Sequence, residues 1–448
     1  MKSSKVLAAL VTMGLATAAA TPALALENQF SGSFTAFYDL SNYGNFYGQK
    51  DPLKNAPDEN SFVQRARLGY TAKASESVKL VTKFELDYKY WGNSSYTTGR
   101  NTGGAIGADS INIETKNIYL ELAYPNLNTK IGMQGVTDAF KGTIFDADMA
   151  GVLLGHDYKN ASVGAGFFRW SDSASVGLGK KTYDMIMLDA KYNLNKDIKV
   201  GAAYYYISDD RPNADTITPV GVPSGFTANG DPIYASVTTT ANPANAAKVH
   251  TLGLNAEGVF GPLTVNGFAL SQFGDLSATQ KAKGYELNAG AKLNLGAAGT
   301  VRCELLYAPG GKNTVYAADG GYEGGAFYDN EMIILGRDKN AFTNDAAIVF
   351  NVSNNNQGVF FGSAGYDYTF NDKLSASANL GSAWVSDNIN NKGTGDHLGT
   401  EINAETNYKL TPAVTLGARA GYVILGDYYD NSNADNPYDI KLIAKYAF

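Results

Sequence analysis

The sequence is short of several things at once, and each shortage excludes something. One cysteine, Cys303, stands among 448 residues, so no intrachain disulfide framework can form. Charged residues make up only 18% of the chain, below the usual quarter. Proline is scarce, at 13 residues. Past the extreme N-terminus there is no long apolar run, which excludes a membrane-spanning helix there. The three histidines, His156, His250 and His397, lie far apart, and no H-E-x-x-H occurs. There is no G-x-S-x-G nucleophile elbow and no C-x-x-C-H haem attachment. Gly177 to Thr182 hints at a phosphate loop but has the wrong spacing. Asp146 to Asp157 partly echoes a calcium loop, but Ala150 stands where a ligand is needed. No catalytic, cofactor or metal site is therefore expected, and the chain reads as a non-enzyme. The formal net charge of -7 argues against nucleic acid as a partner.

Glycine (49 residues) and tyrosine (29 residues), by contrast, are plentiful. The first residues carry a separate message. Lys2 and Lys5 precede an apolar stretch from Val6 to Ala20, then Pro22 and the small-residue site Ala23-Leu24-Ala25. This is the pattern of a Sec-type signal peptide over residues 1–25, with the mature domain expected at 26–448.

From there the dominant signal is period two. Val78, Leu80, Thr82, Phe84, Leu86, Tyr88 and Tyr90 fall on one face. Lys79, Lys83, Glu85, Asp87 and Lys89 fall on the other. Eighteen such segments follow one another, with sixteen as the alternative count, near 30–39, 62–73, 78–90, 114–124, 129–135, 151–158, 161–170, 182–192, 198–207, 249–260, 263–273, 284–295, 300–307, 357–370, 374–384, 398–408, 414–425 and 438–448. Short turns alternate with long polar loops between them. The segment 326–335 is apolar enough to be a further strand or an inward fold of its loop. Aromatic residues gather at both strand ends: Tyr124, Tyr158, Tyr192, Phe260, Phe370 and Tyr408 beside short turns, Trp91, Trp170, Tyr307 and Trp384 beside long loops.

This rhythm predicts an all-β, closed antiparallel transmembrane barrel with short periplasmic turns and long extracellular loops. Bilayer lipid cannot satisfy backbone N–H and C=O groups, so a spanning sheet must close on itself. Phasing the strands from their greasy faces sends Arg65, Arg67, Lys79, Lys83, Glu85, Glu121, Glu257, Glu286, Lys292, Arg302, Glu304, Glu401, Glu405, Arg419, Lys441 and Lys445 inward. Such charges are costly against lipid, at about 2–4 kcal/mol for a mid-bilayer Lys or Arg, and they fit a wet lumen. Closure should bring Arg419, Lys441 and Lys445 beside Arg65, Arg67, Lys79 and Lys83 as one basic wall. Cys303 shares the outward phase of Val301 and Leu305.

The last residues alternate apolar Tyr438, Ile440, Leu442, Ala444, Tyr446 and Phe448 with Asp439, Lys441 and Lys445. With the signal peptide and the strand–turn–loop rhythm, this ending resembles the Gram-negative outer-membrane porin superfamily. The resemblance fixes no subfamily. It implies an outer-membrane location, passive diffusion of small hydrophilic solutes and ions, contact with lipid and lipopolysaccharide, and association as a homotrimer. It also implies that the third long loop, 136–150, folds inward and sets Asp138, Asp146 and Asp148 opposite the basic wall as a charged constriction. Two other readings compete. One is a barrel sheath threaded by a partner such as a multihaem cytochrome; the other is an outer-membrane barrel hydrolase.

Overall fold

The computed structural model describes residues 27–43, 52, 54–55, 58–92, 113–125, 127–172, 177–211, 216–226, 232–240, 246–277, 279–318, 326–339, 347–389 and 393–448. The expected signal peptide lies outside them.

Eighteen strands form the wall: β1 (Glu27–Ser41), β2 (Glu59–Ser75), β3 (Val78–Tyr90), β4 (Glu114–Tyr124), β5 (Leu127–Thr137), β6 (Asp146–Asp157), β7 (Ala161–Asp172), β8 (Thr182–Asn193), β9 (Ile198–Asp209), β10 (Ala247–Phe260), β11 (Leu263–Asp275), β12 (Tyr285–Asn294), β13 (Thr300–Ala308), β14 (Val359–Thr369), β15 (Leu374–Trp384), β16 (His397–Lys409), β17 (Val414–Leu425) and β18 (Tyr438–Ala447). The two-residue segment Lys281–Ala282 prolongs the β11–β12 pairing. Every neighbour pair is antiparallel, and β18 closes on β1 with Thr35 opposite Lys445 and Asp39 opposite Lys441. Closure leaves no sheet edge, as a lipid surrounding demands.

The alternation has the sense expected of a membrane barrel. Leu68, Leu80, Ile118, Leu188, Leu252, Leu254, Leu305, Ile402 and Leu442 are all exposed on the outside. Tyr124, Tyr158, Tyr192, Phe260, Phe370 and Tyr408 stand exposed at the turn end, and Phe62, Trp91, Phe273 and Phe360 at the loop end. Cys303 is exposed in the same outward phase. Where a soluble sandwich would bury these groups, the barrel buries its inward face instead.

The turns are tight for local reasons. The Asn195 side-chain oxygen accepts from the N–H groups of Asp197 and Ile198, and Asn371 does the same for Lys373 and Leu374. Both are side-chain mimics of a backbone turn. Gly261, with φ 61°, supplies the left-handed residue that turns β10 into β11. The long connection after β9 contains a backbone hairpin, Thr216–Phe226 with Pro232–Thr240, that period-two reading did not separate. Pro219 and Pro223 interrupt the alternation there, and the ladder shifts register on both sides of Pro223.

Candidate pore and constriction

Two loops leave the loop end of the wall and turn into the lumen. The first is the connection from β5 to β6. It is shorter than expected, residues 138–145, because both flanking strands run on. Asp138 is its organiser. One carboxylate oxygen accepts from the N–H of Phe140 (2.6 Å) and Gly142 (3.0 Å), the other from Ile144 (2.6 Å) and Phe145 (2.8 Å). Lys141 and Gly142 both take positive φ, so the chain reverses within one turn.

The direction of this loop is fixed by what its side chains touch. Phe140 and Phe145 are fully buried. Phe140 packs on Tyr205 of β9 and Phe268 of β11, at ring distances of 5.8 and 5.5 Å. It also lies over Gly253 of β10, where a Cβ would collide with its ring. The Ala139 N–H donates to the Tyr205 hydroxyl (2.8 Å), and Lys141 reaches Glu304 of β13 (2.7 Å). The loop therefore crosses the lumen from β5–β6 to β9–β13.

The second inward loop joins β13 to β14. Glu401 of β16 receives it: its carboxylate accepts from the N–H groups of Ile333 (2.7 Å), Ile334 (3.0 Å) and Leu335 (2.6 Å). Asp338 pairs with Arg419 (2.6 Å), and Glu331 with Arg302 (3.0 Å). Tyr328, Met332, Ile333, Ile334 and Leu335 are buried against the wall. The two loops also join each other, through Phe327 N–H to Gly142 O (3.0 Å) and Ala318 N–H to Ile144 O (2.8 Å). The apolar segment 326–335 is thus an inward fold and not a nineteenth wall strand.

The expected basic wall separates into two kinds of residue. Arg65 meets Glu85 (2.8 Å) and the Tyr88 hydroxyl (2.9 Å), and Arg67 meets the same Glu85. Lys79 pairs with Glu121 (3.1 Å), and Lys116 with Asp148 (2.7 Å). The bases, Glu121 and Asp148 keep part of their surface open, as does Lys130, whose ammonium sits over the Tyr119 ring, while Glu85 is buried beneath the two arginines. Lys83 lies on the same wall opposite Gly69, and Lys445 joins it across the seam, in register with Thr35 and Arg65. Arg419 and Lys441 share that phase but are buried. The second loop covers Arg419, and Lys441 is held between Asp39 and Asp439. They bind the wall together and do not line water.

The acids divide likewise. Asp146 and Asp148 belong to strand β6, not to a loop. Asp146 accepts from the Thr137 hydroxyl (2.6 Å), and Asp148 is paired with Lys116. Asp138 is buried, and that burial pushes its carboxyl up to about 6 although four N–H donors oppose the shift. It shapes the loop and does not face a solute. Neither role was visible in the sequence, where alternation reports a face but not which inward residues a distant loop covers.

Histidines gather nowhere. His156 stacks edge-on against Tyr158, His250 against Phe273 with the Tyr204 hydroxyl on its ring, and His397 beside Trp384. Among the described residues no group of three His, Cys, Asp or Glu side chains could hold a metal ion.

No protein-family model and no curated protein matches the sequence. The fold has solved counterparts. One is OccK8 (OprE) of Pseudomonas aeruginosa, with a TM-score of 0.55 at 12% identity over 94% of this chain and 98% of that one. Another is OccAB4 of Acinetobacter baumannii, with a TM-score of 0.56 at 12% identity over 96% and 100%. OccAB1 of the same organism gives a TM-score of 0.54 at 13% identity over 94% and 96%. At these identities the similarity establishes a shared closed barrel over essentially the whole chain.

Proposed function

We propose that this barrel is an outer-membrane porin, a water-filled channel through which small hydrophilic solutes and ions diffuse passively past a charged constriction. The observation that carries the reading is the contrast across one wall: Leu, Ile, Val and aromatic side chains outside, and Arg65, Arg67, Lys79, Lys83, Glu85, Glu121 and Asp148 inside. All of these but Glu85 keep open surface even where paired, and Lys83 has no ion-pair partner among the described residues, so they need water beside them.

The two inward loops narrow the lumen on the side of β9–β17 and leave the passage beside β2–β6. Its wall presents Arg65, Arg67, Lys79, Lys83, Lys116 and Lys130 against Glu121 and Asp148, with Glu85 buried under Arg65 and Arg67. Bases outnumber acids, and each of these acids sits in direct contact with a base. Such a wall gives a modest preference for anions and little steering field across the pore. The constriction is therefore a lining of ion pairs with basic excess, in place of an acidic loop set against a basic wall.

The lumen-filling loops speak against a sheath, because they occupy the space a threaded haem protein would need. Lipid on the outer face, lipopolysaccharide at the loop end, three copies associating and a cleaved signal peptide belong to the same reading. Liposome swelling tests it. Vesicles carrying the refolded protein should swell in isotonic sugars and amino acids at rates that fall with solute size. Swelling no faster than empty vesicles, from protein shown to be folded, would overturn it.

A further inference from the structure

Below the first inward loop, toward the turn end, the lumen holds a cavity of about 540 Å³, within the range of roughly 300–1,000 Å³ typical of small-molecule sites. The geometry points to a subsite for a neutral polyhydroxylated solute, a sugar or polyol, in this cavity. The inference rests on the reading of the chain as a solute channel and names one class of solute for it.

The wall of the cavity is built from two adjacent cross-strand rows. In one, Asn255, Phe268 and Asn288 stand side by side on β10, β11 and β12. In the next, Glu257 and Asn266 are opposite one another, with Gly290 beyond. Three carboxamides thus flank one aromatic ring. Glycines keep the amides in place: a Cβ on Gly201 would come within 2.5 Å of the Asn255 side-chain oxygen, and one on Gly290 within 2.9 Å of that of Asn266.

The amides are left partly unused by the protein. Asn288 donates to Glu304 (2.9 Å) and to the Leu305 carbonyl (3.1 Å), but its buried side-chain oxygen accepts nothing. That oxygen has no open surface, so Asn288 braces the wall, and the amides left to meet a solute hydroxyl are those of Asn255 and Asn266. Asn266 makes no side-chain hydrogen bond among the described residues and offers both a donor and an acceptor. Amides suit hydroxyl groups because each can give and take.

Charge does not select at this wall. Lys199 pairs with Glu257 (3.0 Å) and Lys141 with Glu304 (2.7 Å), while Lys191 and Asp157 at the rim offset one another in sign. At the amide wall itself an anion or a cation would have to break one of those two pairs to be held. A neutral polyol would not.

The test uses the full-length protein folded in micelles, with glucose and sorbitol as probes and glutamate as the charged control. Saturation-transfer NMR reads binding directly, so a subsite can be found or lost whether or not the barrel conducts. Transfer to the sugar and polyol protons is expected in the wild type, with saturable concentration dependence. Asn266→Ala, which removes no protein hydrogen bond, should weaken it roughly threefold or more. Asn255→Ala, on the neighbouring strand beside the Phe268 ring, serves as a second variant and should weaken it too. Absence of transfer from both neutral probes, equal transfer in Asn266→Ala, or transfer confined to glutamate would overturn the proposal. Failure of the barrel to pass solute in liposomes would count against the channel reading instead.

Discussion

Lys441 on the last strand places its ammonium 2.9 Å from the Asp39 carboxylate on the first, across the seam where the barrel closes, with Asp439 as a second partner. All three groups face inward and Lys441 is buried. Taking away the cation leaves a buried and a half-buried carboxylate side by side, which costs about 3–5 kcal/mol. Lys441→Met should therefore lower the urea midpoint of the folded barrel markedly, with gel mobility reporting the folded fraction. Adding Asp39→Asn and Asp439→Asn should restore much of the loss. A midpoint unchanged in Lys441→Met would show that the seam is held by the ladder alone.

Asp138 governs the first inward loop. Asp138→Asn replaces one acceptor oxygen by a donor and orphans two of the four N–H groups it serves. At about 1–3 kcal/mol for each, the loop should leave the lumen part of the time. Larger and noisier single-channel currents are expected, and currents identical to wild type would contradict this role.

The same residue sets a pH dependence. Burial raises its carboxyl from 3.8 to about 6, so the closed loop binds a proton more tightly than an open one. The closed form thus gains stability as pH falls through about 6 and loses that gain as pH rises. Glu286, Tyr205 and Lys141 share its surroundings. Comparison with Asp138→Asn isolates its part. Closed dwell times should lengthen on acidification from pH 6 toward 4 in the wild type and do so less in the variant. An opposite slope would mean that another group dominates.

Glu401 latches the second loop. A glutamine there has one acceptor where the carboxylate used two, and its amide would point at N–H donors. Glu401→Gln should release residues 331–339, seen as new protease cleavage in that segment and a higher conductance. Unchanged protection would show that Arg419–Asp338 and the apolar packing suffice.

Ion selectivity separates the two versions of the constriction. Lys83 takes part in no ion pair among the described residues. Lys83→Gln should shift the reversal potential toward cations without loss of folding, and Asp148→Asn should shift it toward anions. Equal and negligible shifts in both would remove the charged lining from the account.

The strands were legible because period two is local. All eighteen segments lie within a few residues of their expected bounds, and the apolar ends of Phe260, Tyr408 and Trp384 mark the wall's rims as alternation implies. What was illegible is non-local. Arg419 and Arg67 look alike along their strands, yet a loop some eighty residues distant in sequence covers one and not the other. Asp138, Asp146 and Asp148 read as one acidic loop because nothing in the sequence shows that β6 begins at Asp146. Asp138 acts through backbone N–H groups, which no side-chain pattern reveals. The carboxamide wall was missed because Asn255, Asn266 and Asn288 meet only through strand register.

The most direct test is the current carried by the purified, refolded chain in planar bilayers. Discrete steps, ohmic in voltage and rising with salt concentration, are what a wet, charged lumen predicts. A folded barrel that inserts and stays electrically silent would contradict it.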